Sequence, residues 1–560
     1  TVTANPDRTE YREGTEVTLT AEAAESWIFD EWRINRVDRG SSNPLTLHMN
    51  NDKSVVAVFE KLAHPLTITV VGDGSVSQEI VPAKTTTEYE DQTRVELTAE
   101  PGNVRWQFSR WEGNLSGSNR TEVVLVDRPL DITALFSERC CLRTYGGSGQ
   151  EEARAVVQTD QTDKHFVITG WTTSGDGDFE GNTHHGNRDI FLLEVDALGE
   201  LKWSRIFGGS GSEEGYAVVR TAGGGLVVAG STNSNDGDFD NTNRGEKDFF
   251  LLKTNSNGQQ EWIRAFGGSG NDEAHSVILT ADGGFLITGE MNSSDGDLSS
   301  LNQGGADAVF IKTDSNGTLE WIQSIGGTGP DMGFSAVQRE DGSFTVTGWT
   351  NSVDGDFIGR EQYQEFDIFL ASIDATGNKQ WIKTFGGSKR DRPNSISLAD
   401  NGSTILTGTT RSADGDFGNA DGVSEDIFLM KNDSNGNRQW ARAYGGSDSD
   451  NALSVTRTEN NGWLLTGSTA SMNGDFEGLN QDGNSIFLIQ TDSNGSPQWI
   501  KTYGGDSSEE GTFVYRDSDD FLYLTGWTRS NDKYFSGLGK GERTSFLLRL
   551  NKDGDLFGQL

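Results

Sequence analysis

Carboxylates are the side chains of this sequence whose spacing could do chemistry. After each of seven Gly-Gly pairs an acid follows the second glycine by four positions: Glu151, Glu213, Asp272, Asp331, Asp391, Asp450 and Glu509. Placed in the link before an inner strand, they are expected to ring the mouth of a central channel. Recurrence in every copy suits a structural duty, such as accepting N–H groups of the acid's own link, better than a single reaction centre.

A second acidic set recurs in five copies, each with Asp-Gly-Asp and a further Asp: Asp176, Asp178 and Asp189; Asp236, Asp238 and Asp248; Asp295, Asp297 and Asp307; Asp354, Asp356 and Asp367; Asp414, Asp416 and Asp426. Three carboxylates with glycine between them can supply the hard oxygens that Ca²⁺ takes, so a structural calcium ion is one reading. Asx turns bonded to their own backbone are the other, and the spacing is not that of an EF-hand loop. Both readings accommodate the last two copies, where Asn473, Asp475 and Ser485, then Asp532, Tyr534 and Thr544, replace the set together.

Departures from the repeat are the candidates for recognition. Trp171, Trp349 and Trp527 follow a strand-ending glycine where most copies have a small or polar residue. Exposed, such rings offer flat faces to a sugar or a partner side chain; otherwise they pack under their own loops. His184, His185, Tyr363, Lys533, Tyr534, Lys540 and Arg543 also break the pattern. The histidine pair beside aspartate reads either as a metal or acid/base pair or as two solvated rings. No nucleophile motif, phosphate loop, HExxH or cysteine-metal spacing occurs.

What positions these residues is a repeat. Tryptophans at 203, 262, 321, 381, 440 and 499 recur every 59 or 60 residues. The third copy predicts strands at Ala274 to Thr280, Phe285 to Thr288, Ala308 to Lys312 and Trp321 to Ile325, and four short strands per period predict a propeller blade. Seven copies are present, but the last ends in LLRLNKDGDLFGQL without a tryptophan strand. The unattached CLRTYGG at Cys141 to Gly147 supplies it, so the first strand closes the ring and removes an open edge. Tight Asp/Asn-Gly turns lie on one face, and long links, where function is usually placed, lie on the other. The expected fold is all-β: two small modules at 1–62 and 65–138, then a seven-bladed propeller at 140–560.

The modules rest on a shorter repeat. VTLTAEAAESWIFDEW with NPLTLHMNNDKSVVAVFE matches VELTAEPGNVRWQFSRW with TEVVLVDRPLDITALFS, and both place Phe-x-x-Trp before a loop. Trp27, Trp32, Trp106 and Trp111 are expected in the module cores. This pattern resembles the divergent B-repeat modules of bacterial internalin-type surface proteins, although the first copy lacks the usual glycine-rich opening strand. The resemblance implies a stalk or spacer. The propeller motifs GGSG-x-acid, DGG-x-x-x-x-G, S-x-DGD and D-x-NG-x-x-x-W resemble the repeats of secreted and surface proteins of Bacteroidetes and related bacteria. That resemblance implies an architecture and an exported habitat, not an activity.

Composition narrows the partners. With 85 acidic against 46 basic residues the net charge is -39, which disfavours nucleic acid and anionic membrane. No apolar run is long enough to span a bilayer and no leader precedes Thr1, so the chain reads as a mature or trimmed exported protein, extracellular or on the cell surface. Adjacent Cys140 and Cys141 form no disulfide framework. The function expected is non-catalytic binding or adhesion, with glycan or protein recognised at the loop face. Trp171, His184, His185, Trp349, Trp527, Lys533 and Tyr534 are its candidate contacts. The alternatives are a polysaccharide lyase or glycoside hydrolase on the same fold, and a structural subunit of a surface assembly.

Overall fold

A computed structural model describes residues 1–560 apart from 81–87, 103–105, 139–141, 160–163, 361–364, 419, 421, 481–482 and 557–560. Cys140, Cys141 and Tyr363 therefore lie outside the described residues. The chain divides into two compact units, Thr1–Cys140 and Cys141–Leu556.

Short apolar runs build the second unit. In blade three the inner strand Asp272–Leu279, second strand Phe285–Met291, third strand Asp307–Thr313 and outer strand Leu319–Ile325 pair antiparallel in chain order. The second and third strands are buried almost throughout, which is why they carry the unbroken apolar runs Phe285 to Ile287 and Ala308 to Ile311. Neighbouring blades share a core: Val227, Phe249 and Leu251 of blade two pack with Val277, Ile287 and Val309 of blade three. Outer strands are half-exposed.

Each inner strand starts at the recurrent acid itself, two residues earlier than the hydrophobic pattern predicts in blade three. The Asp272 N–H donates to Lys247 O at 2.9 Å, so the strand's first residue is held by the preceding blade. Two residues further on, a bulge interrupts every inner strand, between Ala274 and Ser276 in blade three. The bulged side chains meet around the axis: Arg154 lies over Tyr216, Tyr216 meets His275, and His275 stacks on Phe334 at 5.0 Å. The outer turns are tight because glycine sits where φ is positive. Gly317 has φ +75°, and a Cβ there would come within 2.7 Å of the Trp262 ring.

The first strand closes the ring. Leu142–Tyr145 pairs antiparallel with the third strand of blade seven, Thr544–Leu550, from Leu142 opposite Leu548 to Tyr145 opposite Ser545. Blades seven and one also join at the axis, where the Thr512 hydroxyl donates to Ala153 O at 2.9 Å. The Lys164 ammonium, nearly buried, pairs with Asp517 at 2.9 Å across the same seam.

The first unit consists of paired sheets. Val2–Asn5, Thr15–Ala21 and Leu45–Met49 form one sheet of the first module, and Val37–Asp38, Trp27–Ile34 and Val55–Lys61 the other. Trp32 and Trp111 are fully buried, each against its Phe-x-x-Trp partner at 5.2 and 4.9 Å. Trp27 departs from the expectation. It is 41% exposed, because at the first position of its strand it faces a hollow lined by Thr1, Glu22, Ala24 and Phe59 instead of the core. Among the described residues no helix is long and apolar enough to cross a membrane.

Candidate functional site

The seven recurrent acids are buried and engaged. Asp272 accepts the Gly268 N–H at 3.0 Å and the Ser293 hydroxyl at 2.6 Å; Asp331 accepts Gly327 N–H and Ser352 in the same way. In most blades a Thr-x-Ser pair ending the second strand supplies the hydroxyls, as Thr172 and Ser174 do for Glu151. These acids fasten the Gly-Gly link to the second strand, and their oxygens do not open onto a channel mouth. Burial pushes the Glu151, Glu213 and Asp331 carboxyls up, and Asp391 to about 7.

The Asp-Gly-Asp residues point at different partners. Asp176 Oδ1 accepts the Ser148 N–H at 2.8 Å, Asp178 Oδ2 accepts Gly146 N–H at 2.8 Å, and Asp189 Oδ2 accepts His185 N–H at 2.7 Å. Asp236, Asp295, Asp354 and Asp414 repeat the first contact, and Asp238, Asp297, Asp356 and Asp416 the second. Asp248 and Asp307 repeat the third, with Arg244 and Gln303 N–H as donors, while Asp367 instead takes the Arg360 guanidinium. Gly177, at φ +65°, lets the first two aspartates converge on the link, because a Cβ there would lie 2.4 Å from Gly146 O. Among the described residues no group of three or more His, Cys, Asp or Glu is arranged to hold a metal ion.

Closure does bring two of the singled-out tryptophans together, and an arginine from each one's own loop covers it. The Arg543 guanidinium lies 4.0 Å from the Trp527 ring and 5.9 Å from that of Trp171, and pairs with Glu152. Arg188 covers Trp171 at 4.1 Å, leaving that residue 1% exposed. Trp527 is half-buried. Trp349, 7% exposed, packs on Phe366 at 4.1 Å under Arg392. The remaining candidates separate. Lys533 pairs with Asp506 at 2.7 Å and Tyr534 packs on Tyr503, beside the blade six to seven link. His184 lies over Asp189 at 3.8 Å, and His185 is exposed on the blade two side of blade one.

Sequence reasoning missed the residue after each recurrent acid. That column reads Glu152, Glu214, Glu273, Met332, Arg392, Asn451 and Glu510, so glutamate occupies four contiguous blades, seven, one, two and three. Cations just before the third strand of the preceding blade answer three of them: Arg543 to Glu152, Arg188 to Glu214, and Lys247 to Glu273 at 2.9 Å. The Tyr216 hydroxyl donates to Glu214 at 2.7 Å. Burial holds His275 down to about 4, so its ring is neutral at pH 7. Glu290, opposite Glu273 on the next strand, is pushed up to about 7 by burial and then by the Glu273 charge. The signal was a column that breaks the repeat beside one that keeps it.

Fold and site define a seven-bladed β-propeller carrying a polar, ion-paired patch at the axial end of its loop face, in a chain that begins with two small β modules. Residues 1–63 and 64–140 each match the Divergent InlB B-repeat domain. Over 192 residues, 32% of the chain, it is 24% identical to the regulatory protein FlaEY of Caulobacter vibrioides, and spans only 20% of that protein's length. Similar solved structures include Sqt1 from Chaetomium thermophilum, at 12% identity and TM-score 0.39 over 73% of this chain and 99% of that one. YCF48 bound to D1 peptide aligns at 10% identity and TM-score 0.38 over 74% and 96%. A protein of unknown function from Bacteroides caccae aligns at 10% identity and TM-score 0.33 over 56% and 90%.

Proposed function

We propose that this chain is a non-catalytic binding protein of a bacterial surface, with the B-repeat modules as spacer and the loop face of the propeller as the recognition surface for glycan or protein. The observation that carries the reading is the patch on blades seven, one, two and three, where glutamates, arginines and aromatic rings replace the repeat at one side of the axis. The recurrent acids serve the links in every blade, which leaves these departures as the asymmetric feature an asymmetric ligand would need. A glycan array probed with the full chain should give hits that weaken at least tenfold in Glu214→Gln and Glu273→Gln but survive Glu425→Gln in blade five. Hits equally sensitive to all three substitutions would sink the placement.

A second reading, glycan hydrolysis, has one observation behind it. Glu273 and Glu290 face each other across a strand pair, and Lys247 holds Glu273 down while burial lifts Glu290. Carboxyls pushed apart in this way suit a base and an acid. Turnover of any array hit, abolished by Glu290→Gln with binding retained, would establish it.

A further inference from the structure

The loop-face junctions between blades act as controls for one another. At most of them the second acid of Asp-Gly-Asp accepts the N–H of the first link glycine, and the chain's own side chains then cover it. Lys540 Nζ is 2.6 Å from Asp178, Arg244 pairs with Asp297, Lys379 Nζ is 2.6 Å from Asp356, and Arg438 is 3.1 Å from Asp416. These cations come from two repeat positions: four residues before the third strand (Arg244, Lys540) and the first residue of the outer strand (Lys379, Arg438).

The junction of blades five and six lacks both. Gly422 stands at the first position and Pro497 at the second. Asp475 accepts the Gly445 N–H at 3.0 Å and is exposed, where Asp178, Asp297, Asp356 and Asp416 are half-buried. The space that a cation fills elsewhere is here a cavity of about 350 Å³ lined by Asp426, Tyr444, Ser447, Asn473 and Asp475 among others.

We propose that this cavity binds the ammonium or guanidinium group of a lysine or arginine side chain presented by a partner polypeptide. The volume lies at the small end of ligand cavities, roughly 300–1,000 Å³, which suits one side chain better than an oligosaccharide. The chemistry is the one the sister junctions already satisfy in cis: a carboxylate fixed by a backbone N–H, met by a cation on a flexible tether. The cavity opens on the loop face, where a side chain can enter from outside. The net charge of -39 steers a basic partner toward it. The proposal does not depend on the patch at blades seven to three.

The test uses the full chain and a fluorescent Gly/Ser hexapeptide with one central arginine or lysine, followed by anisotropy at low salt, with a leucine peptide as blank. Saturable binding should appear for the cationic peptides and weaken at least tenfold in Asp475→Asn. Asp356→Asn, an equal change in net charge at a covered junction, should leave it intact. Pro497→Lys, which restores the cation of Lys379 and Arg438, should abolish peptide binding and raise Tm. Equal losses in Asp475→Asn and Asp356→Asn would reduce the effect to general attraction by an acidic surface and overturn the site. No saturable binding, or wild-type binding by Pro497→Lys, would overturn it too. Spermidine competing as tightly as the peptides would assign the cavity to a free amine instead of a polypeptide.

Discussion

A buried carboxylate is costly unless it accepts hydrogen bonds, and here each recurrent acid accepts the N–H of the second glycine in the link it fastens. Asp331→Ala would leave the Gly327 N–H and the Ser352 hydroxyl without their acceptor, at a cost of about 3 kcal/mol. Denaturant melts should show that loss, with Asp331→Asn milder because an amide oxygen still accepts. The aspartates of the Asp-Gly-Asp segments obey the same logic. The calcium proposal requires a cation to compete with the Ser210 and Gly208 N–H groups for Asp236 and Asp238. Its signature is a Tm that rises with millimolar Ca²⁺ after chelation. An unchanged Tm would leave these residues as link fasteners alone.

At the level of elements, the closing strand is short but pairs along the outer edge of blade seven from Ser545 to Leu548, with Leu556 bridging Leu550 beyond it. Leu142 and Tyr145 are buried in it, and the Tyr145 hydroxyl donates to Gly199 O at 2.8 Å in the next blade. Deleting Leu142 to Tyr145 from the full chain should lower the calorimetric Tm by several degrees and bring self-association in size-exclusion chromatography, since the third strand of blade seven becomes an open edge. An unaltered Tm would deny the strand its role. Blades and closure were legible because each period carries its own strands and turns, so a missing strand at one end and an orphan at the other could be matched by pattern. The environments of single side chains were not. Trp171 reads either as a recognition ring or as packed under its own loop, and Arg188 at the end of that loop covers it, whereas Trp27 reads as core until its ring proves to face a hollow. The hollow at Trp27 is built with Thr1 and Phe59, distant in sequence, which local pattern does not encode. The cavity at Asp475 was hidden for the opposite reason: it is made by two absences, Gly422 and Pro497, each unremarkable alone.

For the whole molecule, charge sets how stability depends on pH. Burial lifts Asp307 and Asp391 to about 7 and Asp248 to about 6, with Asp331 adding to the rise at Asp307 and Asp272 at Asp248. A carboxyl raised on folding holds its proton more tightly in the native state, so its contribution is fully present below the unfolded value near 4 and is lost as pH rises through 6 to 7. Protonation also relieves the self-repulsion of a chain at -39, which acts in the same direction. The opposite class includes Asp374 and Asp282, held down to about 2, foremost by the Asn378 backbone for the first and, against burial, by Thr280 for the second. Their contribution is present above about 4 and lost as pH falls toward 2. The two classes together place maximal stability in mildly acid solution. Thermal melts at low salt should give a Tm on the order of a few °C higher at pH 5 than at pH 8, falling again below pH 4. Asp307→Asn, which keeps an oxygen for the Gln303 N–H and removes one raised group, should narrow the difference between pH 5 and pH 8. A Tm that climbed steadily from pH 5 to pH 8 would mean that the buried carboxyls ionise without cost.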